Sequence, residues 1–159
     1  MDLLITDSEI ASLIAEPKSV SIALSQIGSR FKEKRGHKEY DLTIRRSDGG
    51  EFKIIIRQAM ENALAFSVIL GFVPKEKTEV FILRRYNGKN HRHGNKLEGQ
   101  PAFYDFHVHT ATERYQIVGM NEETYAEATD RYGDLNGAIE VLISDCNIVT
   151  TNQQPDLFL

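Results

Sequence analysis

The stretch Tyr40-Asp41-Leu42-Thr43-Ile44-Arg45-Arg46-Ser47-Asp48-Gly49-Gly50-Glu51-Phe52-Lys53-Ile54-Ile55-Ile56 decides the fold. On its first arm Tyr40, Leu42 and Ile44 alternate with polar residues, and on its second Phe52, Ile54 and Ile56 recur at the same spacing. Successive side chains of a strand point to opposite faces, so each arm reads as a half-buried strand. Ser47-Asp48-Gly49-Gly50 between them is turn chemistry, and the two arms predict a hairpin. Downstream, residues 64–73 form a mostly apolar run that ends at Pro74 and fits a central strand, although a helical start near Met60 also fits. Gly71 inside that run marks a bulge or a close backbone approach. Residues 75–77 make a charged turn, residues 80–86 a fourth strand and residues 103–109 a fifth. Glycine, asparagine and Pro101 make 87–101 a loop.

Helices are expected at both ends. Thr6-Asp7-Ser8-Glu9 has capping-box spacing ahead of Ile10, Leu13 and Ile14. Val20, Leu24 and Ile27 continue at helical spacing between Pro17 and Gly28, so two short helices or one kinked helix open the chain. Near the other end, Asn121 is placed to cap a helix through Glu122, Glu123, Tyr125, Ala126 and Ala128, with Gly133 as its stop. Asp134 is placed to cap a last helix with the apolar stripe Leu135, Ile139, Leu142, Ile143 and Cys146. The expected class is α+β: an antiparallel sheet of about five strands with N-terminal and C-terminal helices packed on it. Residues 1–149 read as a single domain and 150–159 as a loose tail.

Composition narrows the function. No apolar run approaches the roughly 20 residues that cross a bilayer, and the N-terminus lacks a basic and apolar leader pattern. The single cysteine, Cys146, has no internal disulfide partner and reads as a buried thiol, so a cytoplasmic protein without a membrane partner is expected. Residues 79–114 carry six Lys and Arg against four Asp and Glu, whereas residues 115–159 carry one against eight. The centre is thus mildly basic. A second basic cluster, Arg30, Lys32, Lys34, Arg35 and Lys38 with His37 beside it, also attracts phosphates unless it is simply a solvated face.

Four of the five histidines fall within nineteen residues as His91-Arg92-His93 and His107-Val108-His109. In an extended segment each pair shows both imidazoles on one face, with Asp105 expected beside His107 and His109. Asp105-Phe106-His107-Val108-His109-Thr110 resembles the opening metal motif of the PHP phosphoesterases, yet no later histidine follows here. His107, His109, Glu113 and Gly119 are similar to the first cupin motif, with Pro101 where that family has glycine and helices where its barrel continues. Arg85-Tyr86-Asn87-Gly88, His91, His93 and His107-x-His109, followed by helices and Cys146, resemble a family of short uncharacterised bacterial and prophage proteins. More loosely they are similar to TumE-type toxins of toxin–antitoxin pairs, with Asn87 and Gly88 where those toxins carry Asp and Asn. That resemblance spans about residues 40–148, is specific over 84–109, and implies an RNA-acting, toxin-like protein with a cognate partner encoded nearby.

Three chemistries fit the cluster. In metal-free cleavage of an RNA phosphodiester, His91, His93, His107 and His109 supply acid and base, and Arg84, Arg85, Arg92, Lys96 and Arg114 hold phosphate. Tyr86 and Tyr104 then stack on a base. As a zinc or nickel site, the same four histidines converge on one ion, with Asp105 or Glu113 replacing one of them. The third reading is a non-catalytic binding module, antitoxin-like or a phage regulatory partner. The leading expectation is the RNA- or phosphodiester-directed protein without a cofactor.

Overall fold

The computed structural model describes residues 4–21, 23, 24 and 30–151. Helix α1 (Asp7–Ala15) opens the chain, and its capping box forms as the sequence predicts: the Thr6 hydroxyl accepts from the Glu9 N–H, and the Glu9 carboxylate accepts from the Thr6 N–H. Then follow β1 (Lys18–Val20), β2 (Lys32–Lys34), β3 (His37–Arg45), β4 (Glu51–Ala59), β5 (Phe66–Val73), β6 (Phe81–Asn87) and β7 (His107–Thr110). Helix α2 (Glu113–Ile117), β8 (Ala126–Ala128), helix α3 (Leu135–Asp145) and β9 (Ile148–Thr150) complete it. Among the described residues no helix is long and apolar enough to cross a membrane.

The α+β class and the antiparallel sheet are as expected, but the sheet is larger. Strands β2 to β8 form seven antiparallel strands in sequence order, while β1 and β9 pair in parallel as a separate ribbon. The hairpin of β3 and β4 pairs Tyr40 with Ile56, Leu42 with Ile54 and Ile44 with Phe52, the alternation read from the sequence. Strand β5 is the buried central strand. Its register shifts at Gly71, where a Cβ would press into the Val80 side chain.

Three expectations need correction. Val20 lies in β1 and not in a second helix; Lys18 and Val20 are buried with Ser19 exposed between them, and both pair with β9. Ile27 and Gly28 of that expected helix lie outside the described residues, as does the expected tail beyond Thr151. Asn121 opens a turn, accepting from the N–H and hydroxyl of Thr124, and Ala126–Ala128 is an edge strand. Its alanines favour helix, but three residues gain more from pairing with β7 and from a side chain that grips Ala126. The helix in this region lies earlier: α2, capped by Thr112 and followed by Gly119 at φ 80°. The expected strand over 103–109 shortens to His107–Thr110, with Phe103 reduced to a bridge to His93.

One face of the sheet carries the core. Phe52, Ile54, Ile56, Val68, Leu70, Phe72, Leu83 and Tyr86 pack with Ile10, Leu13 and Ile14 of α1 and with Leu135, Ala138, Ile139 and Leu142 of α3. Asp134 caps α3 as predicted, and Cys146 at its end is fully buried. By alternation, Arg57, Ser67, Arg85, Asn87, His107 and His109 belong to the other face.

Candidate functional site

The register of the outer face places the site. His107 pairs with Asn87 and His109 with Arg85, so the two imidazoles of β7 stand beside the polar end of β6. Residues 88–106 fold back over them. Gly88 makes the fold-back possible: a Cβ there would collide with the Leu64 carbonyl, and its N–H bonds to Phe66 O at 2.9 Å. His93 and Phe103 exchange two backbone bonds of 2.9 and 2.8 Å, which sets the loop as a short ribbon above the sheet. Asn95, 2% exposed, fastens the loop to the edge strand. Its Nδ2 donates to Ala126 O at 2.7 Å and to Gln100 Oε1 at 2.8 Å, and its Oδ1 accepts from Ala126 N at 2.9 Å.

The fold-back brings the four histidines together. The ring of His93 is 5.4 Å from His107 and 4.9 Å from His109, His107 and His109 are 5.0 Å apart, and His91 is 5.1 Å from His107. One ring nitrogen each of His93, His107 and His109 lies within 4.8 Å of the others, which is metal-binding proximity.

Hydrogen bonds fix which nitrogen carries the proton, because a carbonyl oxygen only accepts. His107 Nδ1 donates to Asp105 O at 2.8 Å and His109 Nδ1 to Glu123 O at 2.7 Å. The Asn95 amide is oriented by Ala126, so its Oδ1 faces His93 and Nε2 of that ring donates to it at 3.0 Å. His91 Nδ1 likewise donates to Asn90 Oδ1 at 2.9 Å. Each neutral ring is left with one unprotonated nitrogen. The Ser67 hydroxyl donates to Asn87 Oδ1 at 2.8 Å, which turns Asn87 Nδ2 toward His107 Nε2 at 3.5 Å.

Burial keeps the inner rings neutral. Burial, joined by repulsion from His107 and His93, pushes His109 down to about 3. Burial likewise lowers His107, with His91 and His93 adding to it. These rings suit lone-pair donation more than proton carriage at neutral pH. His91 is exposed. Arg85, on the same face, donates to Glu123 Oε2 at 2.7 Å.

Of the expected cations, only Arg85 lines the cavities beside the rings: one of about 280 Å³ with Asn87, His93, His109 and Glu123, and one of about 570 Å³ that includes His91. Arg84 lies on the core face, where it donates to Asp145 and to Tyr86. Arg114 is fastened to Glu98 at 2.6 Å, and Arg92 and Lys96 are exposed on the loop. Tyr86 is fully buried and gives no stacking surface, whereas Tyr104 is exposed with Lys89 over its ring. Asp105 reaches the histidines only through its backbone carbonyl, which accepts from His107, and its carboxylate is not among the converging ligand atoms; the residue lines a cavity with Arg84, Val108 and Arg131. The Glu113 carboxylate accepts from Asp7 N–H. Sequence reasoning missed Ser67, Asn87, Asn95 and Glu123 as neighbours of the rings; the turn-like Gly94-Asn95 was the one local signal, and it pointed only to a loop.

No protein-family model, no curated protein and no solved structure matches this chain.

Proposed function

We propose that the chain binds a divalent transition metal, zinc or nickel, through His93, His107 and His109, with a coordination position left for an anionic ester such as a phosphodiester. The observation that carries this is three converging imidazoles, each with one ring N–H given to an oxygen acceptor. Metal-ligating histidines are oriented in this way, and catalytic zinc sites keep three protein ligands and one open position. An acid–base pair of His107 and His109 fits less well, since both rings are buried and their Nδ1 protons are committed to backbone carbonyls. A bound ion supplies Lewis acidity and lowers the pKa of water. His91 lies exposed beside His107, and Arg85 is placed to balance the ester's charge. In hydrolysis of a phosphodiester the water oxygen bonds to phosphorus, the bond to the leaving oxygen breaks, and that oxygen takes the proton the water gave up.

Elemental analysis and calorimetric titration with zinc and nickel test the reading. Stoichiometric metal is expected, lost in His107→Ala and His109→Ala and kept in His91→Ala. A wild-type dissociation constant weaker than about 1 mM, the range of a mere 4 kcal/mol, would sink it. Cleavage of RNA that survives EDTA would favour the metal-free pair instead.

A further inference from the structure

The outer face continues from the histidines into a groove of about 570 Å³, lined by Lys34, His37, Glu39, Arg57, Ser67, Arg85, Asn87 and His91 among others. Register explains the groove. Glu39 pairs with Arg57, Arg57 with Ser67, Ser67 with Asn87 and Asn87 with His107, so one polar row crosses five neighbouring strands and ends at the cluster. At about 4.8 Å per strand, the row is about 19 Å long.

Its charges are spread along it. Lys34 and Arg57 come from β2 and β4 and meet at the Glu39 carboxylate, while Arg85 comes from β6, whose backbone lies roughly 10 Å from β4 by strand spacing. One phosphate can replace Glu39 between Lys34 and Arg57 but cannot reach Arg85 as well, whereas a polyanion lying along the row can meet both ends. Among the described residues Glu39 is the only carboxylate lining this groove, and Lys34, His37 and Arg57 share it at 3.4, 3.5 and 3.1 Å. Glu123 meets Arg85 from the neighbouring cavity. Between the cations, Gln58, Ser67, Asn87 and Asn90 offer uncharged polar groups.

We infer that this groove holds the backbone of a single-stranded nucleic acid and leads it to the histidine cluster. The inference rests on the proposed metal centre only for what stands at the groove's end; the cations hold the strand with or without the ion. A strand of three nucleotides is too short to meet the cations at both ends of the row at once, whereas one of six can span it. Contacts to backbone phosphates carry no sequence information, so binding without sequence preference is expected.

Fluorescence anisotropy of labelled oligouridylates and oligodeoxythymidylates of three, six and twelve nucleotides tests this, in EDTA and in zinc. The six-mer should bind at least tenfold more tightly than the three-mer, and the twelve-mer little better per site. Three backbone contacts give a slope of about −2 for log affinity against log salt, at about −0.7 per contact. Arg57→Ala should weaken binding about tenfold and reduce that slope by one contact. Lys34→Ala, at an exposed side chain, should act similarly, and Arg45→Ala, at the far end of β3, should not. Elemental analysis of Arg57→Ala should show wild-type metal content. Loss of metal binding by the wild type with oligonucleotide binding intact would remove the metal reading alone. No binding by the wild type, equal affinity for Arg57→Ala, or equal competition by polyglutamate would overturn the groove. Binding of inorganic phosphate but not of the six-mer would overturn it too.

Discussion

Asn95→Ala separates the metal reading from a mere gathering of histidines. The side chain makes four hydrogen bonds of 2.7 to 3.0 Å, to both backbone groups of Ala126, to Gln100 and to His93. Ala126 is fully buried, so truncation strands one N–H and one C=O that no other strand among the described residues covers. A buried unsatisfied group costs about 1–3 kcal/mol, and because water can enter at a sheet edge we expect a loss of about 2–4 kcal/mol in urea unfolding. Separately, His93 loses the oxygen that holds its Nε2 proton. Removing such an orienting partner lowers metal affinity about 10–100-fold. Asn95→Asp is the companion: it keeps an oxygen for His93 and for Ala126 N–H and loses the two donated bonds, so it should cost stability while metal affinity stays within about threefold of wild type, a shift under about 1 kcal/mol. Calorimetry with zinc on all three proteins, each verified as folded by circular dichroism, makes the comparison. If Asn95→Ala binds zinc as tightly as wild type, or if Asn95→Asp is as weak as Asn95→Ala, the orienting role is refuted.

Other outcomes follow from single residues. His109 is held neutral by burial at about 3, below its unfolded value near 6.5. Unfolding therefore takes up a proton between those values, so the stability of the metal-free protein is full above about pH 6.5 and falls with acid through that window, at up to about 1.4 kcal/mol per pH unit; urea midpoints at pH 7, 5.5 and 4.5 should fall in that order, and the fall should be shallower in His109→Gln. Lys18, 1% exposed, donates from Nζ to the carbonyls of Ile14, Glu16 and Cys146 at 2.8, 2.7 and 2.9 Å and so closes the ends of two helices. Lys18→Met should cost about 3 kcal/mol, or about 9 °C in melting temperature, without altering zinc affinity, because it acts on the core side of the sheet. Gly88→Ala should cost at least as much through its collision with the Leu64 carbonyl, and it should also weaken zinc binding, since that residue starts the loop carrying His91 and His93; a melting curve and titration matching wild type would show that the loop is not held there.

What was legible in the sequence was local. The Thr6 and Glu9 capping box, the Asp134 cap and the β3–β4 hairpin each depend on residues a few positions apart, and each formed. Ala126-Glu127-Ala128 was misread because its local preference is helical, while its partners, β7 and Asn95, lie 17 or more positions upstream. Val20 was misread because one turn of helix and one turn of strand look alike in four residues; the parallel partner that decides between them begins at Ile148.

The site divides along the same line. A His-x-His pair is one of few motifs in which sequence spacing is itself the site geometry, because period two puts both rings on one face of a strand. That holds for His107 and His109 in β7, whereas His91 and His93 reach them from the loop. The rest of the site lies across strands, not along them. Glu39, Arg57, Ser67, Asn87 and His107 are scattered over nearly seventy positions, yet they form one row through four successive register matches. Arg84 and Arg85 show how sharply register decides: one position apart, the first reaches Asp145 on the core side and the second stands beside His109. A shift of one residue in β6 would exchange them, and would move Asn87 away from His107 while leaving every histidine in the sequence where it was. The chemistry available to the four imidazoles is thus set less by the motif that reveals them than by the pairing of β5, β6 and β7 beneath them.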